Sequence, residues 1–201
     1  MELEQWVNKT LGSEQVALRA LSGDAGFRRY FRTEVAGRRL IVMDAAADHG
    51  SCAPFARMAR LLEAGGLHVP HVEAWQEERG WMILSDLGEQ TFLDVLNSDN
   101  ADALFGAAID ALVRLQQQPA PADLPRYDAA LLRRELDLFP AWYLERHLGM
   151  TIDASLAALL DALFDTLVTQ ALQQPQVLVH RDYMPRNLMV SEPNPGVLDF
   201  Q

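Results

Sequence analysis

"VLVHRDYMPRNLMV", residues 177–190, sets a polar gap between two apolar runs, and the reading of that gap decides the fold. It holds the only His-Arg-Asp of the chain, residues 180–182, and Asn187 follows Asp182 after four residues. "SEPNPG" then turns the chain into "GVLDF", which carries a second carboxylate, Asp199. "QVLV", "NLMV" and "GVLDF" are short and β-branched or aliphatic, which predicts three short strands around the gap. Pairing of "NLMV" with "GVLD" would bring Asn187 and Asp199 near each other.

Upstream, the texture divides near residues 85–90. Residues 2–11 predict a short helix with Leu3, Trp6, Val7 and Leu11 near one face. "VALRAL", "RRYFRTEV" and "RRLIVMDA" are short runs broken by "SGDAG" and "AGR", which predicts antiparallel strands with glycine turns. Residues 51–64 read as a helix closed by Gly65-Gly66. "VPHVEAW" and "GWMILSDL" add two strands, so a five-stranded sheet with one helix inserted fills residues 1–88. From 89 to 201 the chain is mainly helical. Thr91–Leu96 is a short helix, and Asn100–Gln117 is a longer one with Asp99 as its expected cap. Asp128–Leu148 is a broken stretch that Pro140 restarts. Ile152, Leu156, Leu159, Leu160, Leu163, Phe164 and Leu167 form a stripe expected to pack on a core.

The composition sets bounds on this picture. The chain has 201 residues, 49% of them hydrophobic and 22% charged, the balance of an ordinary globular protein. A net charge of −11 argues against general nucleic-acid binding, while leaving room for a phosphate held locally by a few arginines or a metal ion. One cysteine, Cys52, excludes an intramolecular disulfide and fits a reducing compartment. No run reaches the ~18 consecutive apolar residues of a membrane span. The start, "MELEQWVNKTL", lacks a signal peptide's basic-then-apolar layout. A cytoplasmic monomer without a membrane or nucleic-acid partner is the expectation.

Asp182, Asn187 and Asp199 carry the chemistry. A carboxylate, a carboxamide and a second carboxylate are what magnesium-dependent phosphoryl transfer requires. One carboxylate orients the attacking hydroxyl and takes its proton. The amide oxygen and the other carboxylate hold Mg²⁺ against the nucleotide phosphates. H-R-D-x4-N, followed by D-F at the end of the next strand, is the catalytic signature of protein kinases. His180 is expected to shape the loop by packing and hydrogen bonding. Arg181 reads equally as a loop brace or a phosphate contact.

The same residues resemble the "HGD-x-x-x-x-N…DFD" signature of the aminoglycoside phosphotransferase and choline kinase superfamily, with Arg181 where that family usually has Gly. "DAGFRRYFR", "RLIVMDA", "LLEAGGLHVP" and "ILSDLG" resemble the N-lobe motifs of its bacterial cell-wall sugar kinases. Those enzymes phosphorylate the anomeric hydroxyl of N-acetylmuramate and N-acetylglucosamine in peptidoglycan recycling. The resemblance implies an α+β, protein-kinase-like fold of two lobes, a five-stranded antiparallel N-lobe with one helix (1–88) and a mainly helical C-lobe (89–201). It also implies that the C-lobe is C-terminally incomplete, because relatives continue past the metal-binding Asp into helices that build the acceptor pocket.

Position by position, the resemblance makes Asp182 the catalytic base, with Asn187 and Asp199 as metal ligands and ATP and Mg²⁺ as cofactors. Gly26, Phe27, Arg28 and Arg29 would cover the phosphates. The backbone of Ser85 and Leu87 would bond adenine, and Ile41 and Met189 would sandwich it, a plain core role being an equal alternative for those last two. One departure stands out. Most relatives have a phosphate-binding Lys on the third strand, where "RRLIVMDAA" offers only Met43 or Asp44. Arg28, Arg29 and Arg32 are the candidate substitutes, with Arg28 first; strand alternation keeps Arg28 and Arg29 from facing the nucleotide together. The implied activity is transfer of the ATP γ-phosphoryl group to an amino-sugar hydroxyl. Aminoglycoside, choline or homoserine acceptors, a nucleotide-binding pseudokinase and an inactive fragment are the alternatives.

Overall fold

A computed structural model describes residues 2–21 and 28–200. Two compact units form: Met1–Gln118 together with Leu178–Gln201, and Pro119–Val177.

In the larger unit, five strands run in the order β1-β2-β3-β5-β4, every neighbouring pair antiparallel. They are β1 (Arg19–Ala20), β2 (Arg29–Val35), β3 (Arg38–Asp44), β4 (Val72–Gln76) and β5 (Trp81–Ser85). The β2–β3 turn takes left-handed backbone at Ala36 and Gly37. Because side chains alternate along a strand, register assigns each residue a face. Phe31, Leu40, Val42 and Ile83 meet α1 (Glu2–Leu11) through Leu3, Trp6, Val7 and Leu11, together with Val16. Asn8 fixes the chain after this helix by accepting the Val16 N–H at 2.9 Å. On the other face lie Arg32, Ile41 and Leu84, cross-strand partners in one row, and Met43 and Met82 in the next.

The helix between β3 and β4, α2 (Cys52–Ala64), buries Cys52, Phe55, Ala56, Ala59 and Leu62. Its expected glycine ending holds: the N–H of Gly65 donates to Leu61 O and that of Gly66 to Glu63 O. Past the sheet, α3 (Phe92–Val95) starts in a reciprocal capping box of Thr91 and Asp94. For α4 (Ala101–Gln116) the expected cap, Asp99, is not used. Its own backbone N–H is taken by Asn97 Oδ1, and Asn100 occupies the cap position without a side-chain cap bond. Local side-chain bonds in "NSDN" win over helix capping here.

The smaller unit holds α5 (Ala129–Leu136), a π-helical segment Phe139–His147 with Pro140 in its first turn, and α6 (Ala154–Leu172). Pro140 thus restarts the helical path as its missing N–H demands. Asp128 and Asp153 cap α5 and α6 by accepting the N–H of Leu131 and Leu156. Leu144, Leu160 and Phe164 form the core, with Leu136, Ile152 and Leu156 against it. Only part of the expected stripe is covered. Leu159, Leu163 and Leu167 face outward, at 65%, 49% and 42% exposure. By length and composition alone α6 could cross a membrane, but Asp161 and Asp165 interrupt it and pair with Arg133.

Candidate active site

Residues 177–190 form a loop that ends in a short strand, rather than the strand–loop–strand expected. "QVLV" joins no ladder; Leu178 is buried and Val177 and Val179 are exposed. β-branched composition favours extended backbone, but a strand also needs a partner edge, and β6 (Leu188–Met189) takes β7 (Gly196–Val197) instead. The other two expected strands are therefore the ones that exist.

This hairpin organises the site. Leu188 pairs with Val197, and the Leu198 N–H donates to Asn187 O at 2.9 Å. The carbonyl of the same Leu198 lies 2.9 Å from Nε2 of His180, which is buried and packs edge-on against Tyr183. Both sides of the Leu198 residue are thus held, and the next residue, Asp199, is aimed from a fixed backbone at φ 58°. Burial pushes the His180 pKa down, outweighing its bond to Leu198 and the nearby Asp199 and Asp182 charges. A neutral ring with Nε2–H toward Leu198 leaves Nδ1 as a buried acceptor without a partner. Tyr183 anchors the loop to α4 by donating to Ala108 O at 2.7 Å, and burial lifts its pKa to about 12.

Asp182 and Asn187 are directly linked. Nδ2 of Asn187 donates to the Asp182 carbonyl and to Asp182 Oδ2, each at 2.9 Å. With its N–H₂ spent on Asp182, the buried Asn187 has Oδ1 left for a cation, while Asp182 and Asp199 are both exposed. Among the described residues no three His, Cys, Asp or Glu side chains form a metal cluster. One carboxamide oxygen and one carboxylate suit Mg²⁺, which keeps waters and takes its remaining ligands from phosphates.

Arg181 has φ 74°, in the left-handed region that non-glycine residues rarely enter. That backbone gives a physical reason for glycine in the related "HGD" signature, and this chain holds it with an arginine.

Ile41 lies on the sheet face turned away from α1, and Met189 is buried in β6. The connector after β5 runs beside the hairpin: Val190 N–H donates to Gln90 O at 2.8 Å, and Thr91 bridges to Met189. Gly88 has φ 123°, and a Cβ there would meet Val190 O at 3.0 Å, so the close approach requires glycine. Ser85 is fixed by two bonds to His71, its N–H to the carbonyl and its Oγ from the N–H, both 2.9 Å. Leu87 is buried against Gly196. The hairpin, the connector and the sheet thus belong to one unit, which brings Ile41, Ser85, Leu87, Met189, Asn187, Asp199 and Asp182 into it.

The arginines separate. Met43, two residues after Ile41 on the same face, is fully buried, so β3 offers no cation there. Asp44 points to the other face, where it accepts from Trp81 Nε1 at 3.1 Å and pairs with Arg29. Arg32 binds Asp86 through Nε at 2.7 Å and Nη2 at 3.1 Å. Arg28 meets no carboxylate among the described residues; its guanidinium lies 5.9 Å from the Phe55 ring, which stacks on Phe200 at 5.3 Å. Gly26 and Phe27 lie outside the described residues.

A model for the phosphotransferase enzyme family matches residues 17–201. The chain belongs to that family. Among curated relatives, it is similar to the N-acetylmuramate/N-acetylglucosamine kinases of Pseudomonas aeruginosa and Pseudomonas putida. The first is 56% identical over 180 residues, 90% of this chain and 53% of the relative; the second is 54% identical over 185 residues, 92% and 55%. The kinase of the same name from Neisseria meningitidis serogroup B is 36% identical, with 100% of this chain and 61% of that protein covered. The chain thus spans about half the length of the two Pseudomonas relatives. Among solved structures, ADP-bound aminoglycoside phosphotransferase APH(2'')-Ib aligns with a TM-score of 0.70 at 18% identity, covering 99% of this chain and 69% of that one. Aminoglycoside phosphotransferase APH(4)-Ia aligns at 0.67 and 19%, covering 98% and 70%. These establish the kinase-like fold of the phosphotransferase family for this chain.

Sequence reasoning left two participants out of the site. Asp86 had no role, although its place in "SDLG" beside the expected adenine-binding residues was a signal. Phe55 also had none, since a stack on Phe200 joins residues far apart in the chain.

Proposed function

We propose that this phosphotransferase-family chain is the nucleotide-binding and catalytic part of an ATP-dependent small-molecule kinase. Its acceptor is the anomeric hydroxyl of N-acetylmuramate or N-acetylglucosamine, in cytoplasmic peptidoglycan recycling. The observation that carries the kinase reading is the double donation from Asn187 to Asp182, which directs the amide oxygen to a cation and holds the carboxylate toward solvent. The names of the relatives at 54–56% identity support the acceptor.

In this reading residues 1–88 bind the nucleotide and 89–201 carry the catalytic loop. Ile41 and Met189 flank the adenine, and the Ser85 and Leu87 backbone meets its edge. Arg28, near the metal-ligand end through Phe55 and Phe200, serves the phosphates in place of the absent Lys, with Gly26 and Phe27 preceding it in the chain, while Arg29 stays paired with Asp44. Asn187 and Asp199 hold Mg²⁺, which when bound supplies positive charge to the phosphate oxygens. Asp182 orients the acceptor hydroxyl and takes its proton. The hydroxyl oxygen bonds the γ-phosphorus as the bond to the β,γ-bridging oxygen breaks, and ADP leaves. Positioning and fixed charge do most of the work.

The test is a screen of amino sugars and other small alcohols with full-length protein and labelled ATP, N-acetylmuramate and N-acetylglucosamine first. Transfer to either supports the proposal. Transfer only to another alcohol removes the acceptor assignment and leaves the kinase. Nucleotide binding with no transfer to any acceptor removes the kinase reading in favour of a pseudokinase.

A further inference from the structure

Arg32 carries more bonds than a strand arginine needs. Beyond its two bonds to Asp86, Nη2 donates to Gly88 O at 2.5 Å, and Asp86 Oδ1 also accepts the Gly88 N–H at 3.0 Å. The pair is deep: the side chains are 14% and 1% exposed. A ring of hydrogen bonds therefore closes around residues 86–88, with the Leu87 peptide inside it. Arg32 is also the cross-strand partner of Ile41, on the same face of the sheet. Around it, Glu89 collects Arg19, Arg32 and Arg39 at 3.5–3.9 Å, so the guanidinium is not available to a phosphate.

Burying an ion pair costs desolvation, and an apolar pair of similar volume is often as stable or more so. What a bidentate arginine–carboxylate pair supplies is direction, because its two parallel bonds fix both partners in one plane. Here the partners are the sheet face under the proposed adenine position and the connector at its edge.

We propose that Arg32 and Asp86 are a positioning pair that orients the Ser85–Gly88 backbone for recognition of the nucleotide base. The inference rests on the kinase reading above. Neither side chain touches the phosphates or the acceptor; both act through the connector peptides. The pair sets which base is preferred and how tightly it is held, and leaves phosphate binding alone.

The experiment compares full-length wild type, the double variant Arg32→Met/Asp86→Leu, and Arg32→Lys. Each is titrated with ATP, GTP and inorganic tripolyphosphate in Mg²⁺, and its denaturation midpoint is measured. In the double variant the midpoint and the tripolyphosphate affinity hold. Its Kd for ATP rises about tenfold, the loss of one or two hydrogen bonds, and the preference between ATP and GTP falls toward none. Arg32→Lys gives an intermediate loss of base preference, since an ammonium cannot bridge both carboxylate oxygens and Gly88 in one plane. If the double variant does not fold, Arg32→Lys decides alone. Unchanged ATP affinity and base preference in a folded variant overturns the proposal, as does an equal loss for tripolyphosphate. A wild type that binds tripolyphosphate without base preference overturns it too. A wild type that binds no nucleotide overturns the kinase reading, and this pair's role with it.

Discussion

Asn187 grips Asp182 twice, at the backbone carbonyl and at Oδ2, so the orientation of the proposed base and the proposed metal ligand is one geometric fact. Changing Asn187 should therefore damage both. Asn187→Ala loses the amide oxygen and both donors, and kcat should fall on the order of a hundredfold to a thousandfold, as when a fixed polar group is removed from a reacting centre. Asn187→Asp keeps an oxygen for Mg²⁺ but sets a carboxylate against Asp182 Oδ2. It too should lose kcat, even with Mg²⁺ raised to saturation. Turnover restored by excess Mg²⁺ in Asn187→Asp would show that Asp182 does not need the donor.

Asp182→Asn tests the base itself. The substitution keeps the backbone carbonyl that Asn187 bonds and a side-chain oxygen for its second bond. Turnover should vanish while ATP affinity, measured by calorimetry with Mg²⁺, stays nearly the same. A variant that turns over like wild type would sink the assignment.

Arg28 is singled out by what the other arginines are doing. Arg29 pairs with Asp44 and Arg32 with Asp86, whereas Arg28 meets only the Phe55 face among the described residues. Arg28→Ala should weaken ATP and tripolyphosphate about tenfold and leave adenosine unaffected, the signature of one lost charge-assisted contact. Arg29→Ala should leave all three affinities within about twofold, because its guanidinium is turned to Asp44 on the sheet face opposite Ile41. Equal losses in the two variants would remove Arg28 as the substitute for the missing Lys.

Much of this arrangement is legible in the residues. The alternation of "RRLIVMD" and "GWMILS" fixes strand faces, and the spacing from Asp182 through Asn187 to Asp199 encodes the loop and hairpin, because these depend on local periodicity and turn chemistry. The absence of a "QVLV" strand, the Arg32–Asp86 clamp and the exposure of Leu159, Leu163 and Leu167 were not legible. Each depends on which distant element lies opposite, and local propensity holds no information about that. Met43 belongs between the two cases. Alternation places it on the face of Ile41, but only the packing decides that it is buried and that Asp44 turns to Trp81.

Arg181 predicts a stability change opposite to that of most substitutions. Its φ of 74° costs a residue with a Cβ about 1–2 kcal/mol, a cost that glycine does not bear. Arg181 has interactions of its own, so the gain in Arg181→Gly is a net one of about 0.5–1 kcal/mol in urea denaturation at pH 7. Arg181→Ala should not gain, since alanine keeps the Cβ and loses the side-chain contacts. A glycine variant no more stable than the alanine variant would mean that φ is not strained there.

His180 makes stability depend on pH in a direction that burial fixes. Desolvation holds its folded pKa below the ordinary value near 6.5, against the opposing pull of Leu198 O, Asp199 and Asp182. As pH falls through that ordinary value, the unfolded chain takes up a proton that the folded chain refuses. The unfolded state then binds more protons, and stability falls with pH until the folded pKa is reached. The contribution is complete above about pH 7 and is lost progressively on the acid side of about pH 6.5. His180→Gln keeps an N–H for the Leu198 carbonyl and removes the titration. Its unfolding free energy should fall less between about pH 7 and 5 than that of wild type. Parallel pH profiles for the two proteins would mean that His180 titrates as freely when folded as when unfolded, and that its ring is not held neutral beneath the Asp182 loop.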